Sequence, residues 1–236
     1  MIDYVSTLFI SIAFWTFLFF LFSQLVEADL PTRQLWDFRN RLVTFIHGVF
    51  YLTFTTITVI NEAKLGSDNT YFQIKIILWM LGYHIYDTIC KIKFGISDNF
   101  IVIHHSLVII GSICGLSSNN GIVEILYGSF IGVLPNPSLQ IKEILRYNNQ
   151  RDTKIYLLAE LTYIFTFIFA RFIIGPVIIY EVVTSWSVFW PVRAIAFSLE
   201  ILSFYWISTF YNILKKRYQE YQHRVKEGKS LPWIFK

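Results

Sequence analysis

The chain has 236 residues, of which 55% are hydrophobic and only 15% charged, and its mean hydropathy is +0.51. Long apolar runs recur from end to end, which marks an integral membrane protein and leaves no room for a separate soluble enzyme domain. The formal net charge of +4 is carried in loops beside apolar segments rather than in an Arg-rich stripe, so nucleic acid is not an expected partner.

In chain order, the first apolar run extends from about Tyr4 to Val26, long enough to span a bilayer core of about 30 Å. Asp3 stands where a secretory signal would carry Lys or Arg, so a cleaved signal peptide is not expected. The polar segment EADLPTRQLWDFRNR follows, with Pro31 as a helix breaker and Trp36 suited to an interface. A second run, Leu42 to Ile60, is rich in Thr and β-branched residues, a weak argument against helix that loses force in lipid. The third runs from about Tyr71 to Cys90 and the fourth, short, from about Phe100 to Leu116. Between Ile122 and Tyr147 the sequence VLPNPSLQ interrupts an apolar stretch; Pro135 and Pro137 predict one crossing made of two half-helices that meet near Asn136. A sixth segment, about Tyr156 to Val183, is expected to bend at Gly175-Pro176, and a seventh spans about Trp190 to Leu214. The division is a single membrane domain over 1–214 and a basic tail over 215–236, whose closing SLPWIFK is amphipathic enough to touch a membrane surface or a partner.

Lys and Arg arbitrate the count. The loops after segments one, three and five and the C-terminal tail hold sixteen of the 20 Lys and Arg. All sixteen share one face if every segment crosses once, which puts the termini on opposite faces and the C-terminus on the cytosolic side, or on the matrix side of a mitochondrial inner membrane. The fold class is therefore an all-α membrane protein, a single bundle of about seven transmembrane helices with the fifth broken.

Ionisable residues inside such segments are functional candidates by default. Tyr83, His84 and Asp87 can share one helical surface, and an Asp87 that accepts from His84 would orient its imidazole. His104 and His105 are adjacent and so diverge by about 100° around their helix, leaving one for a central cavity and the other for helix packing. His47, one turn before Tyr51, adds an imidazole at depth. Arg171 needs an acid, with Asp87, Glu160 and Glu200 as candidates, or the phosphate or carboxylate of a lipid. Glu124 and Glu181 are expected to reach headgroup water. The histidine spacing matches no zinc motif, so no metal is expected, and Cys90 and Cys114 read as two small buried thiols. Gly111 and Gly115 form a pair that lets helices approach closely.

Four landmarks in order, RLVTFIHG (41–48), LGYHIYD (81–87), HHSLVIIG (104–111) and NPSLQ (136–140), resemble those of TLC-domain membrane proteins, a group that includes TRAM proteins and ceramide synthases. The resemblance covers roughly residues 1–225 and is closest to the TLC domain-containing protein 5 subfamily. It implies the TLC-domain fold, a helical barrel, and in ceramide synthases a histidine pair that serves N-acylation of a sphingoid base by acyl-CoA; His104 and His105 match that pair. The family's two aspartates three apart on the next helix have no counterpart, because Phe130 through Val133 offer no carboxylate and Glu124 stands too early.

That departure points to a non-catalytic protein of lipid binding or membrane-lipid homeostasis, in the endoplasmic reticulum or a related endomembrane. The expected contacts of a bound phospholipid or fatty acyl chain are His47, His84, Asp87, His104, His105, Asn136 and Arg171, with no other cofactor. Two alternatives stand beside it: an accessory subunit held by other membrane-protein subunits, and a lipid acyltransferase using His104, His105, His84 and Asp87.

Overall fold

The computed structural model describes residues 2–61 and 64–227. The SLPWIFK segment lies outside the described residues. The helices are α1 (Ile2–Leu25), α2 (Thr32–Ile60), α3 (Tyr71–Lys93), α4 (Asn99–Leu116), α5 (Ile122–Val133), α6 (Asn136–Tyr147), α7 (Lys154–Ile168), α8 (Gly175–Thr184) and α9 (Trp190–Lys226), with a π-helical segment over Phe169–Ile174 between α7 and α8. Among the described residues there is no β-strand, and one isolated bridge joins Asp68 to Asn120.

Six stretches are long and apolar enough to cross a membrane: α1, α2, α4, α5 with α6, α7 through α8, and the first part of α9. With 23 residues α3 is long enough but carries Lys75, Asp87, Lys91 and Lys93, and it packs against α1, α2, α4 and α5 at the centre of the bundle. Contacts at its two ends show that it runs the full height. Near its C-terminus Phe94 stacks on Trp36 at 4.3 Å and lies 5.4 Å from Phe19, while Tyr147 donates to Asp37 at 2.5 Å, so the end of α1, the start of α2 and the end of α6 share one end of the bundle. At the other end Tyr71 meets Asp3, Asn69 donates to Asn119 O at 2.8 Å and Asn120 donates to Ser187 O at 2.7 Å. Each segment therefore joins the same two ends in alternation, and the Arg and Lys of residues 33–41, 91–93 and 142–154 gather at the first, here called the basic end.

Several boundaries differ from the expectation, each for a local reason. The polar stretch after Pro31 is helical rather than a loop, because Pro31 sits at the N-cap, where its missing amide costs nothing, and α2 starts at Thr32. The threonines of α2 do not weaken it: Thr44, Thr53, Thr55, Thr56 and Thr58 each donate to the carbonyl four residues back, at 2.7 to 3.1 Å, so no hydroxyl is left bare in an apolar setting. The break at Pro135 is a kink, since Leu134 and Pro135 keep right-handed helical dihedrals and Leu139 N still reaches Pro135 O at 3.1 Å. What the prolines remove is the donor that would meet the carbonyls of Ile131 and Val133. The expected bend at Gly175-Pro176 is preceded by the π-helical segment. α9 continues past Leu214 to Lys226 without interruption.

Thr70 begins α3 with a reciprocal capping box, accepting from Gln73 N at 3.3 Å while Gln73 Oε1 accepts from Thr70 N at 3.0 Å. Outward surfaces of α1, α7 and α8 carry Phe9, Ile10, Phe17, Phe165 and Val177, and the polar side chains turn inward. α1 lies against α3 through Ser11, which is fully buried and donates to Trp79 O at 2.9 Å. Gly82 permits that approach: a Cβ there would fall 2.6 Å from Ser11 Cβ and 3.1 Å from Ile12 N. Gly82→Ala is expected to push α1 off α3 and cost about 1–3 kcal/mol, read as a lower unfolding temperature in detergent; unchanged melting would show that α1 is not held this way.

Candidate functional site

A cavity of about 330 Å³ runs inside the bundle, lined by residues of every helix except α1. All seven residues singled out from the sequence (His47, His84, Asp87, His104, His105, Asn136 and Arg171) face it.

Asp87 anchors the wall toward the basic end. It is fully buried; Asn40 Nδ2 donates to its Oδ1 at 2.6 Å, Lys91 one turn along α3 pairs with its Oδ2, and His105 Nε2 lies 3.5 Å from the same oxygen. Asn40 is itself held, accepting from Tyr86 Oη at 2.8 Å. One carboxylate thus binds α2 to α3, with His105 of α4 packed beside it. The expected His84–Asp87 pair does not form. His84 Nδ1 instead donates to Met80 O of its own helix at 2.9 Å, and Asp87 is engaged by Asn40 and Lys91. Since Nδ1 carries the proton, His84 presents Nε2 as an acceptor.

The other imidazoles are positioned by packing. Thr88 donates its single proton to His84 O at 2.6 Å, so it accepts from His105 Nδ1 at 3.1 Å, and the His84 and His105 rings meet edge to face at 5.2 Å. His104 turns away, toward Trp206 of α9 at 5.4 Å, with no hydrogen-bond partner for Nδ1. His47 is stacked flat on Tyr83 at 3.5 Å, and its Nε2 is likewise unpartnered.

Midway along the cavity the π-helical segment turns Arg171 inward, close to Gly132, where an added Cβ would lie 3.0 Å from Nη2. Of its three candidate acids, Asp87 is taken, Glu160 is buried outside the cavity lining, and Glu200 shares the cavity with Arg171, its carboxylate beside Gly175 one turn further on. The attraction is not closed into a contact: Arg171 Nε and Glu200 Oε1 both lack a hydrogen-bond partner.

Glu124 departs from the expectation of headgroup water. It is only 4% exposed, beneath the loops 64–70, 117–121 and 185–189, and accepts from Gly66 N at 2.5 Å. Asn69 ties these loops together, donating to Gly115 O and Ser118 O and accepting from Ile122 N. Gly121 begins α5 at φ 108, a left-handed conformation reserved for residues without a side chain to clash. Sequence reasoning passed over Asn40, Thr88 and Lys91. Asn40 and Lys91 each sit in a basic cluster that reads as a topology signal, and only the i,i+4 spacing of Asp87 and Lys91 pointed to a pair.

Residues 37–215 match the TLC domain. The chain belongs to the TLC-domain family. The matched span contains every cavity-lining residue, from Thr44 to Trp206, while α1 lies ahead of it. The TLC domain is thus the part of the chain that encloses the cavity, and α1 packs on its outside.

Removal of the Asp87 carboxylate strands Lys91 and Asn40. Asp87→Ala is expected to cost about 3–5 kcal/mol, and Asp87→Ala combined with Lys91→Met to recover part of it. Thermal unfolding of the purified variants measures both, and additive losses would mean that the two side chains do not interact.

Proposed function

We propose that this TLC-domain protein holds a membrane amphiphile inside its bundle without transforming it. The observation that carries the reading is the cavity itself. On α9 its lining runs from Val192 to Trp206, fourteen residues or about 21 Å, a narrow shape for its volume that suits an extended chain. Toward the end where α8 meets α9 the walls are Ile178, Val182, Val192, Ile195 and Ala196, with Glu124 the one carboxylate there and held by Gly66 N, while the middle and the basic end carry the other polar groups. An amphiphile placed tail first matches that gradient, and an open interior speaks for this reading over a purely structural accessory subunit. The orientation follows from the basic end, which the positive-inside rule assigns to the cytosolic side of an endomembrane.

Gly128 offers a test that spares the fold. It lines the cavity, and a Cβ built on it meets nothing within 4 Å. Gly128→Leu is expected to fill the slot, keep or slightly raise the unfolding temperature because Leu favours helix over Gly, and lower co-purifying lipid by about tenfold. Lipid mass spectrometry of the purified wild-type and variant chains reads this directly. Equal lipid content in both, or none in either, would refute it.

One observation favours a second reading, lipid acyl transfer: His84 Nε2 is an available proton acceptor in the cavity. The absence of a carboxylate across Phe130 to Val133 weighs against it. The double variant His104→Ala/His105→Ala separates the two, since binding without chemistry predicts no acyl transfer by the wild-type chain, and transfer abolished by the double variant would reverse the preference.

A further inference from the structure

Arg171 and Glu200 are opposite buried charges that share the cavity lining with no hydrogen bond or ion pair between them. Each is 8% exposed, each lines the cavity, and each has a buried polar atom, Nε of Arg171 and Oε1 of Glu200, with no partner. Glycines clear the space around both. A Cβ on Gly132 would crowd Arg171 Nη2 at 3.0 Å, and one on Gly175 would lie 3.3 Å from both carboxylate oxygens of Glu200. A guanidinium and a carboxylate held this deep and left apart are costly unless a third body completes them.

Resting on the lipid-binding reading above, we propose that this pair is a headgroup subsite for a zwitterionic lipid with a primary ammonium. The phosphate accepts from Arg171, whose planar fork suits it, and the ammonium donates to Glu200. Charge balance argues for a zwitterion. Asp87 is already compensated by Lys91, and Arg171 and Glu200 compensate each other, so the polar middle of the cavity has no spare positive charge for an anion, which would also sit against the Glu200 carboxylate. Hydrogen bonding argues for a primary amine: Glu200 Oε1 needs an N–H, and a quaternary ammonium has none. From this level toward Val192 the α8 and α9 walls are apolar over eight residues, about 12 Å of α9 that take the start of the tail, and Glu124 of α5 stands at the far end beneath the loops.

The test uses the full chain in mild detergent, with lysophosphatidylethanolamine, lysophosphatidylcholine and lysophosphatidic acid as competing probes and occupancy read by native mass spectrometry. The ethanolamine lipid is expected to be favoured about tenfold over each competitor. Glu200→Gln is expected to lower that preference to about threefold or less. Arg171→Met leaves Glu200 buried without its counter-charge and can fail to fold, so the neutral pair Arg171→Met/Glu200→Gln serves beside it; this double variant should still retain lysolipid while losing the headgroup preference. Binding by the wild-type chain with no preference, or with the choline or phosphatidic probe favoured, would overturn the subsite and leave the cavity reading intact. Failure of the wild-type chain to retain any of the three lipids would overturn both.

Discussion

A charge carried into a lipid-embedded bundle has to be answered from inside it, and Asp87 is where this constraint shapes the molecule. Water would have screened the carboxylate at little cost; here Asn40 of α2 and Lys91 one turn along α3 do so. Satisfying one residue therefore fixes α2 against α3 at the basic end, and the His105 bond to Thr88 adds α4 beside them. The same demand explains why α3, which carries Lys75, Asp87, Lys91 and Lys93, sits at the centre: surrounded by α1, α2, α4 and α5, it exposes little of its polar surface to hydrocarbon.

Satisfied and unsatisfied groups then have separate parts in the cavity. The Asp87 cluster is closed, so it makes a rigid wall, and the histidine rings beside it are fixed by Met80 O, by Thr88 and by the face of Tyr83. Rigidity of this kind lowers the ordering cost of receiving a ligand. His104 Nδ1, His47 Nε2, Tyr51 Oη, Glu124 Oε2, Arg171 Nε and Glu200 Oε1 are the open valences among the described residues that line the cavity. Polar groups left open in a low-dielectric interior are costly where nothing completes them, which makes their clustering around one slot informative.

The sequence made the membrane class, the helix count and the seven cavity residues legible because each rests on a strong local signal: apolar length, loop charge, or an ionisable residue at lipid depth. The pairings were not legible. Spacing allowed His84 to serve Asp87, yet an i−4 carbonyl on its own helix was nearer, and a residue 47 positions away took the carboxylate instead. Asn40 lies between Arg39 and Arg41, where composition reads as a loop, and only the helical start after Pro31 turns it inward. Glu124 looked like a segment end beside water because a sequence does not show three loops folding over it.

The cavity exists because two helices are irregular at the same depth. Uniform helices lined with Ile, Val and Gly would close on one another, as α1 and α3 do at Gly82. Pro135 and Pro137 instead kink α5 away from α6 and free the carbonyls of Ile131 and Val133, while the π-helical segment opposite widens its turn and swings Arg171 toward Gly132. Neither irregularity is compensated by the other, since no hydrogen bond joins Arg171 to that stretch of α5 among the described residues. A bundle that needed only to be stable would have closed this gap with a larger side chain at Gly128, where an added Cβ meets nothing within 4 Å. Keeping a small residue there, in a slot with an open cation and an open carboxylate, is the arrangement expected of a protein whose interior is completed by something other than itself.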